Sequence, residues 1–150
     1  MSRYFSRSPI RLEKLLSARL DGEAGGIVTF VGTPRRLVNG KRISALEYEA
    51  YEEMAESRLS DLILEAQMRW PLTGVLLRHR LGRVPVGETS IVIQVCSEHR
   101  YEAFQACQFL IDVLKREVPI WKKEIYSDGK VSWVHCEHRG ADSTQAAELA

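Results

Sequence analysis

The strongest constraint on the fold is an apolar stripe that runs into a proline. Phe104, Cys107, Ile111, Leu114 and Val118 recur every three or four residues, the spacing that gathers apolar groups on one side of an α-helix. Pro119 has no amide hydrogen and cannot prolong that helix, so the pattern predicts a helix over 98–118 with a defined end. Such a helix needs a second layer of structure to cover its stripe. At about 100° per residue, Lys115 projects roughly 20° from Phe104, on the flank of the stripe. Partial desolvation of an ammonium favours its neutral form, which suits a lysine there to proton transfer. The same position suits a lysine that lays its stem on the core and turns its charge outward. Helical geometry leaves both readings open.

The rest of the chain supplies the second layer. Ser8-Pro9 is a helix-start signal, Leu12, Leu15, Leu16 and Leu20 form a stripe, and Asp21-Gly22 ends it. Gly25 and Gly26 lead into a strand over 27–32, and Asn39-Gly40 marks the turn of a loop or irregular hairpin over 33–42. In 43–51, Leu46, Tyr48 and Ala50 alternate with Glu47 and Glu49, as in a strand with one wet face. Residues 53–69 read as a helix with Met54, Leu59, Leu62, Ile63 and Ala66 inward, ended by Trp70-Pro71. Strands are expected over 74–81 and 88–96, parted by Pro85-Val86-Gly87, and a last one over 130–136 after Gly129. This order predicts one α+β domain over 1–150: a mainly antiparallel sheet packed with about three helices. The ends, 1–8 and 140–150, are expected to be flexible.

Bulk properties narrow the function. A chain of 150 residues suits one domain with a real core, and a formal net charge of +1 gives no overall field toward nucleic acid or an anionic membrane. No apolar run approaches the roughly 20 residues that span a bilayer. Cys96, Cys107 and Cys136 lack paired spacing and read as reduced thiols, which points to a cytoplasmic setting. The start, Met1 to Arg7, is basic and Ser-rich without the apolar core of a signal peptide.

No metal site is expected: His79, His99, His135 and His138 include one His-X-X-His pair, with neither HExxH nor a cysteine pair beside it. Nucleophile elbows and phosphate loops are absent. Three basic groups remain: Thr33-Pro34-Arg35-Arg36 with Lys41 and Arg42; Ser97-Glu98-His99-Arg100 at a helix start, where free amides and the helix dipole favour anions; and Lys115 with Lys122 and Lys123. Each alone suits a solvated face. Together, in a chain of near-zero charge, they suggest a focused anion site.

Taken in order, Gly26-Ile27-Val28-Thr29-Phe30-Val31-Gly32, Arg35, Leu46 to Met54, Arg69-Trp70-Pro71, His79-Arg80-Leu81-Gly82, Ser97 to Arg100 and Lys115 to Glu124 resemble the large, catalytic subunit family of molybdopterin synthase. The resemblance covers roughly residues 10 to 134 and implies a hammerhead-like α+β fold. It implies a sulfurtransferase that converts cyclic pyranopterin monophosphate to molybdopterin in molybdenum cofactor biosynthesis, with no resident cofactor. The sulfur would come from the C-terminal Gly-Gly thiocarboxylate of a small ubiquitin-like carrier subunit. Two copies of the chain would form a central homodimer within a heterotetramer, each lending the other its His-Arg pair. By motif, the resemblance assigns Lys115 and Lys122 to catalysis, and Thr33, Pro34, Arg35, His99, Arg100, Lys123 and Glu124, with both lysines, to substrate binding. The loop departs from the family's Val-Arg-Asn-His-like run by reading Thr33-Pro34-Arg35-Arg36-Leu37, and Pro34 removes an amide donor there. Two other readings stand beside it: a non-catalytic module binding RNA or a phosphorylated ligand, and a structural subunit without activity.

Overall fold

The computed structural model describes residues 1–17 and 22–134. Strand β1 (Phe5–Ser6) and helix α1 (Leu12–Ser17) open the chain, followed by β2 (Gly26–Gly32), β3 (Leu37–Val38) and β4 (Lys41–Ala50). Helix α2 (Glu52–Arg69) leads to β5 (Leu72–Arg80), β6 (Gly82–Pro85) and β7 (Ile91–Ser97); helix α3 (Arg100–Glu117) leads to β8 (Ile120–Tyr126) and β9 (Val131–Trp133). One sheet has the order β1-β5-β7-β2; the other runs β3-β4-β8-β9, with β6 also paired to β4. Among the described residues every ladder is antiparallel except the short β1–β5 pair. The α+β expectation holds.

Strand β7 is buried along its whole length, between β5 and β2, which is why Ile91 to Cys96 reads as an almost unbroken apolar run. Helices α2 and α3 cover this sheet. Ala55, Leu59, Leu62 and Ala66 from α2 meet Ala103, Ala106, Leu110 and Leu114 from α3 over Leu77, Ile93 and Val95. Each fully buried leucine or isoleucine contributes about 1.5–3 kcal/mol, so this layer dominates the stability. Cys96 and Cys107 are buried free thiols, and burial pushes Cys107 above its ordinary pKa.

Several expectations are corrected. Phe104 and Met54 were placed inward by periodicity, yet they are 60% and 55% exposed. The true stripes centre one residue away, on Ala103 and Ala55, where small side chains let the helices approach closely. The first helix begins at Leu12 rather than after Ser8-Pro9. The segment 1–8 is held rather than free: Tyr4 and Phe5 are buried, and Glu56 accepts hydrogen bonds from Ser2 Oγ and the amides of Tyr4 (2.9 Å) and Arg3 (3.3 Å). Strands β1, β6 and β8 have no counterpart in the order expected from sequence. Leu20, Asp21, Cys136 and the segment 140–150 lie outside the described residues.

Gly25 and Gly26 mark where β2 passes beneath the start of α3. A Cβ on Gly26 would stand 3.0 Å from Arg100 Cα, and one on Gly25 would stand 2.1 Å from the Glu98 carbonyl oxygen. Glycine is required for this approach.

Candidate active site

The two sheets are joined at a corner. Strand β5 ends at Arg80, and Gly82, with φ of +81°, lets the chain turn into β6, which pairs with β4. Tyr48 of β4 therefore has Gly82 opposite it on one side and Lys122 of β8 on the other. His79, one residue before the end of β5, packs its ring against Tyr48 edge to face, centroids 4.9 Å apart, with Phe5 of β1 at 6.2 Å.

His79 is 4% exposed, and its Nδ1 lies 2.8 Å from the Arg80 carbonyl oxygen. A carbonyl can only accept, so Nδ1 carries the proton and the lone pair sits on Nε2. Burial pushes the imidazole pKa down to about 4; the Arg80 bond opposes this, and the charges of Lys115 and Lys122 add to it. In the sequence His79 belongs to no metal pattern and appears only in the His79-Arg80-Leu81-Gly82 motif, with no role in the site. Its signal was a histidine inside the apolar run Val75-Leu76-Leu77-Arg78-His79. Among the described residues no three His, Cys, Asp or Glu side chains gather as a metal site, and His135 and His138 lie outside them.

Side chains alternate along β8, which divides the lysines. Lys122 stands opposite Tyr48 and shares its face, whereas Lys123 stands opposite Glu47 on the other face. There the Lys123 ammonium lies 3.1 Å from Glu49 and 3.6 Å from Glu47, over the Trp133 ring at 4.5 Å. The hydrogen bond to Glu49 raises its pKa. Trp121 donates to the same Glu49, at 3.3 Å. Glu124 shares the Lys122 face by alternation and accepts a hydrogen bond from the Tyr126 hydroxyl at 2.8 Å. The expected Lys122, Lys123 and Glu124 segment is thus split, with Lys123 turned away from Lys122.

Lys115 lies in the last turn of α3, close enough to His79 for its charge to be felt there. It is exposed, not part-buried as expected. The reason is geometric: its reference residue Phe104 is itself on the outer side of the helix, so the flank at 20° faces solvent. The loop after β2 leaves the sheet beside this end of α3, since Gly32 and His79 both pair with Ile91. In that loop Thr33, Arg35 and Arg36 are exposed, and Pro34 is buried as an anchor.

His99 caps the other end of α3 and, like Arg100, is exposed. Arg100 and Lys115 are fifteen residues apart on one straight helix, about 22 Å at 1.5 Å per residue. Within one chain the structure brings together Lys115, Lys122, His79, Tyr48 and the start of the 33–35 loop, and leaves His99 and Arg100 apart.

Comparison with known proteins gives this arrangement a family. Residues 5–117 match the family described as MoaE protein. The molybdopterin synthase catalytic subunit of Thermoplasma volcanium is 49% identical over 111 residues, spanning 74% of this chain and 81% of the relative. The crystal structure of molybdopterin synthase from Staphylococcus aureus superposes with a TM-score of 0.82 at 33% identity, covering 91% of this chain and 98% of that one. A complex of subunits 1 and 2 of molybdopterin-converting factor from Helicobacter pylori shares the fold, with a TM-score of 0.70 at 22% identity and 98% of both chains covered.

Proposed function

We propose, from the premise that this chain belongs to the MoaE family, that it is the catalytic subunit of a molybdopterin synthase and works as a cytoplasmic sulfurtransferase. Its substrate is cyclic pyranopterin monophosphate, and sulfur is delivered as the thiocarboxylate of a small carrier subunit. The observation that carries this reading is that Lys122, opposite Tyr48, stands beside the buried imidazole of His79, on which the charges of both Lys122 and Lys115 act.

The thiocarboxylate is already a strong sulfur nucleophile, so the chain needs to supply proton transfer and anion binding rather than a cysteine. Lys115 acts as general acid and base, or transiently as a nucleophile, while the cyclic phosphate opens; Lys122 shares the pocket and stabilises developing negative charge. Thr33 and Arg35 close the pocket beside Lys115, with Arg35 offering a forked donor to phosphate. Glu124, on the Lys122 face of β8 and held by the Tyr126 hydroxyl, binds substrate beside Lys122.

His99 and Arg100 bind the anionic substrate from a second copy of the chain. The length of α3 supports this, because Arg100 stands at the opposite end of the helix, about 22 Å along its axis from Lys115. Exposed Tyr101 and Phe104 extend an apolar surface beside the pair. The test is reconstitution: the chain, a carrier ending in a Gly-Gly thiocarboxylate and the cyclic precursor should yield molybdopterin, and no product with a loaded carrier would overturn the reading.

A further inference from the structure

His79 occupies a place where a charged group would be more familiar. Lys122 of β8 stands opposite Tyr48, whose ring packs on the imidazole, and the charges of Lys122 and of Lys115, in the last turn of α3, both act on His79. Around it stand Tyr48 from β4 and Phe5 from β1, both in ring contact, and the Arg80 carbonyl of its own strand. The Arg80 guanidinium is engaged by Glu88 instead. A carboxylate at this position would pair with an ammonium and cancel the charge that an anionic substrate needs. A neutral acceptor holds a lysine without cancelling anything.

With Nδ1 committed to the Arg80 carbonyl, Nε2 is the only ring nitrogen left to meet a lysine. We propose that His79 is a positioning residue for the lysine pair, its Nε2 accepting a hydrogen bond from the Lys115 or Lys122 ammonium and fixing where that nitrogen stands over the substrate. The ring is itself fixed by Tyr48 and Phe5, so it provides a rigid reference for two long, flexible side chains. The low pKa of His79 agrees, because it keeps the ring in the acceptor form at neutral pH. The inference rests on the molybdopterin synthase reading.

Two measurements test it. In the reconstituted assembly, His79→Phe keeps the ring's bulk and removes both nitrogens. It should lower kcat about 10–100-fold with precursor KM within about threefold, the signature of misplaced catalytic groups. His79→Gln, whose amide reaches the Nε2 position, should recover much of that loss. Wild-type turnover in both variants would overturn the proposal, whereas an inactive wild-type assembly would instead overturn the functional reading. Should the phenylalanine variant not fold, nitrogen NMR of the wild-type chain decides. Nε2 should resonate as an unprotonated nitrogen at neutral pH and shift in Lys115→Met or Lys122→Met. A protonated Nε2, or a resonance unmoved in both variants, would overturn the inference.

Discussion

Tyr48 and His79 meet edge to face at the junction of the two sheets, their ring centroids 4.9 Å apart and their planes at 76°. Tyr48 belongs to the strand that presents Lys122 through β8, and His79 to the strand that enters the corner. The contact therefore couples the two sheets at the point where the lysines converge. Edge-to-face pairs contribute about 0.5–1.5 kcal/mol beyond the area they bury. Here that contact also holds a buried imidazole in one orientation.

Burial of a neutral histidine makes stability depend on pH. His79 is depressed from 6.5 to about 4, so between those values the unfolded chain binds the proton and the folded chain does not. Its contribution is fully present above about pH 6.5 and is lost as pH falls toward 4, amounting to about 3 kcal/mol. Denaturant unfolding at pH 7 and pH 4.5 should show this fall, and His79→Gln should flatten it relative to wild type. An equal pH dependence in the variant would contradict the assignment.

Alternation along β8 separates two adjacent lysines. Lys122→Ala should reduce molybdopterin formation by about 100-fold, as expected for a lost charge in the pocket. Lys123→Ala should stay within about threefold, because its ammonium is held by Glu49 and Glu47 on the opposite face. Equal losses would show that the faces do not divide the roles.

A site shared between copies should complement. Lys115→Ala and Arg100→Ala homodimers, each inactive, should recover about a quarter of wild-type activity after being mixed and allowed to exchange, since half the dimers then carry one intact site. No recovery despite measured exchange would place both residues in one chain's site.

Glu56 fastens the N-terminal strand. Burial pushes its carboxyl up, but hydrogen bonds from Ser2 and the Tyr4 and Arg3 amides outweigh this and hold it below its ordinary value. Glu56→Ala should destabilise the chain by about 1–3 kcal/mol. It should also speed amide exchange at His79, whose N–H donates to the Tyr4 carbonyl at 2.8 Å. Unchanged exchange there would mean that the strand is held by Tyr4 and Phe5 packing alone.

Much of this was legible before the structure, and the misses have physical causes. Helices α2 and α3, strand β2 and the Asn39-Gly40 hairpin follow from period and turn chemistry. Strand β8 was invisible because Lys122 and Glu124 occupy one of its faces, where an ordinary strand would show apolar residues. The same property makes it part of the site. The outward Phe104 misled the helical wheel, because alanines close to the partner helix carry little hydropathy signal. Motif resemblance named the lysines, but only three dimensions place His79 against Tyr48, opposite which Lys122 stands, and Lys123 on the far side.

Lys115 is the most direct test. In a single-turnover reaction of the assembled enzyme with thiocarboxylated carrier and cyclic precursor, Lys115→Ala should form molybdopterin at least about 100-fold more slowly, close to 3 kcal/mol of lost transition-state stabilisation. It should still bind the carrier as wild type does. Near-normal turnover by that variant would contradict a catalytic role for the lysine.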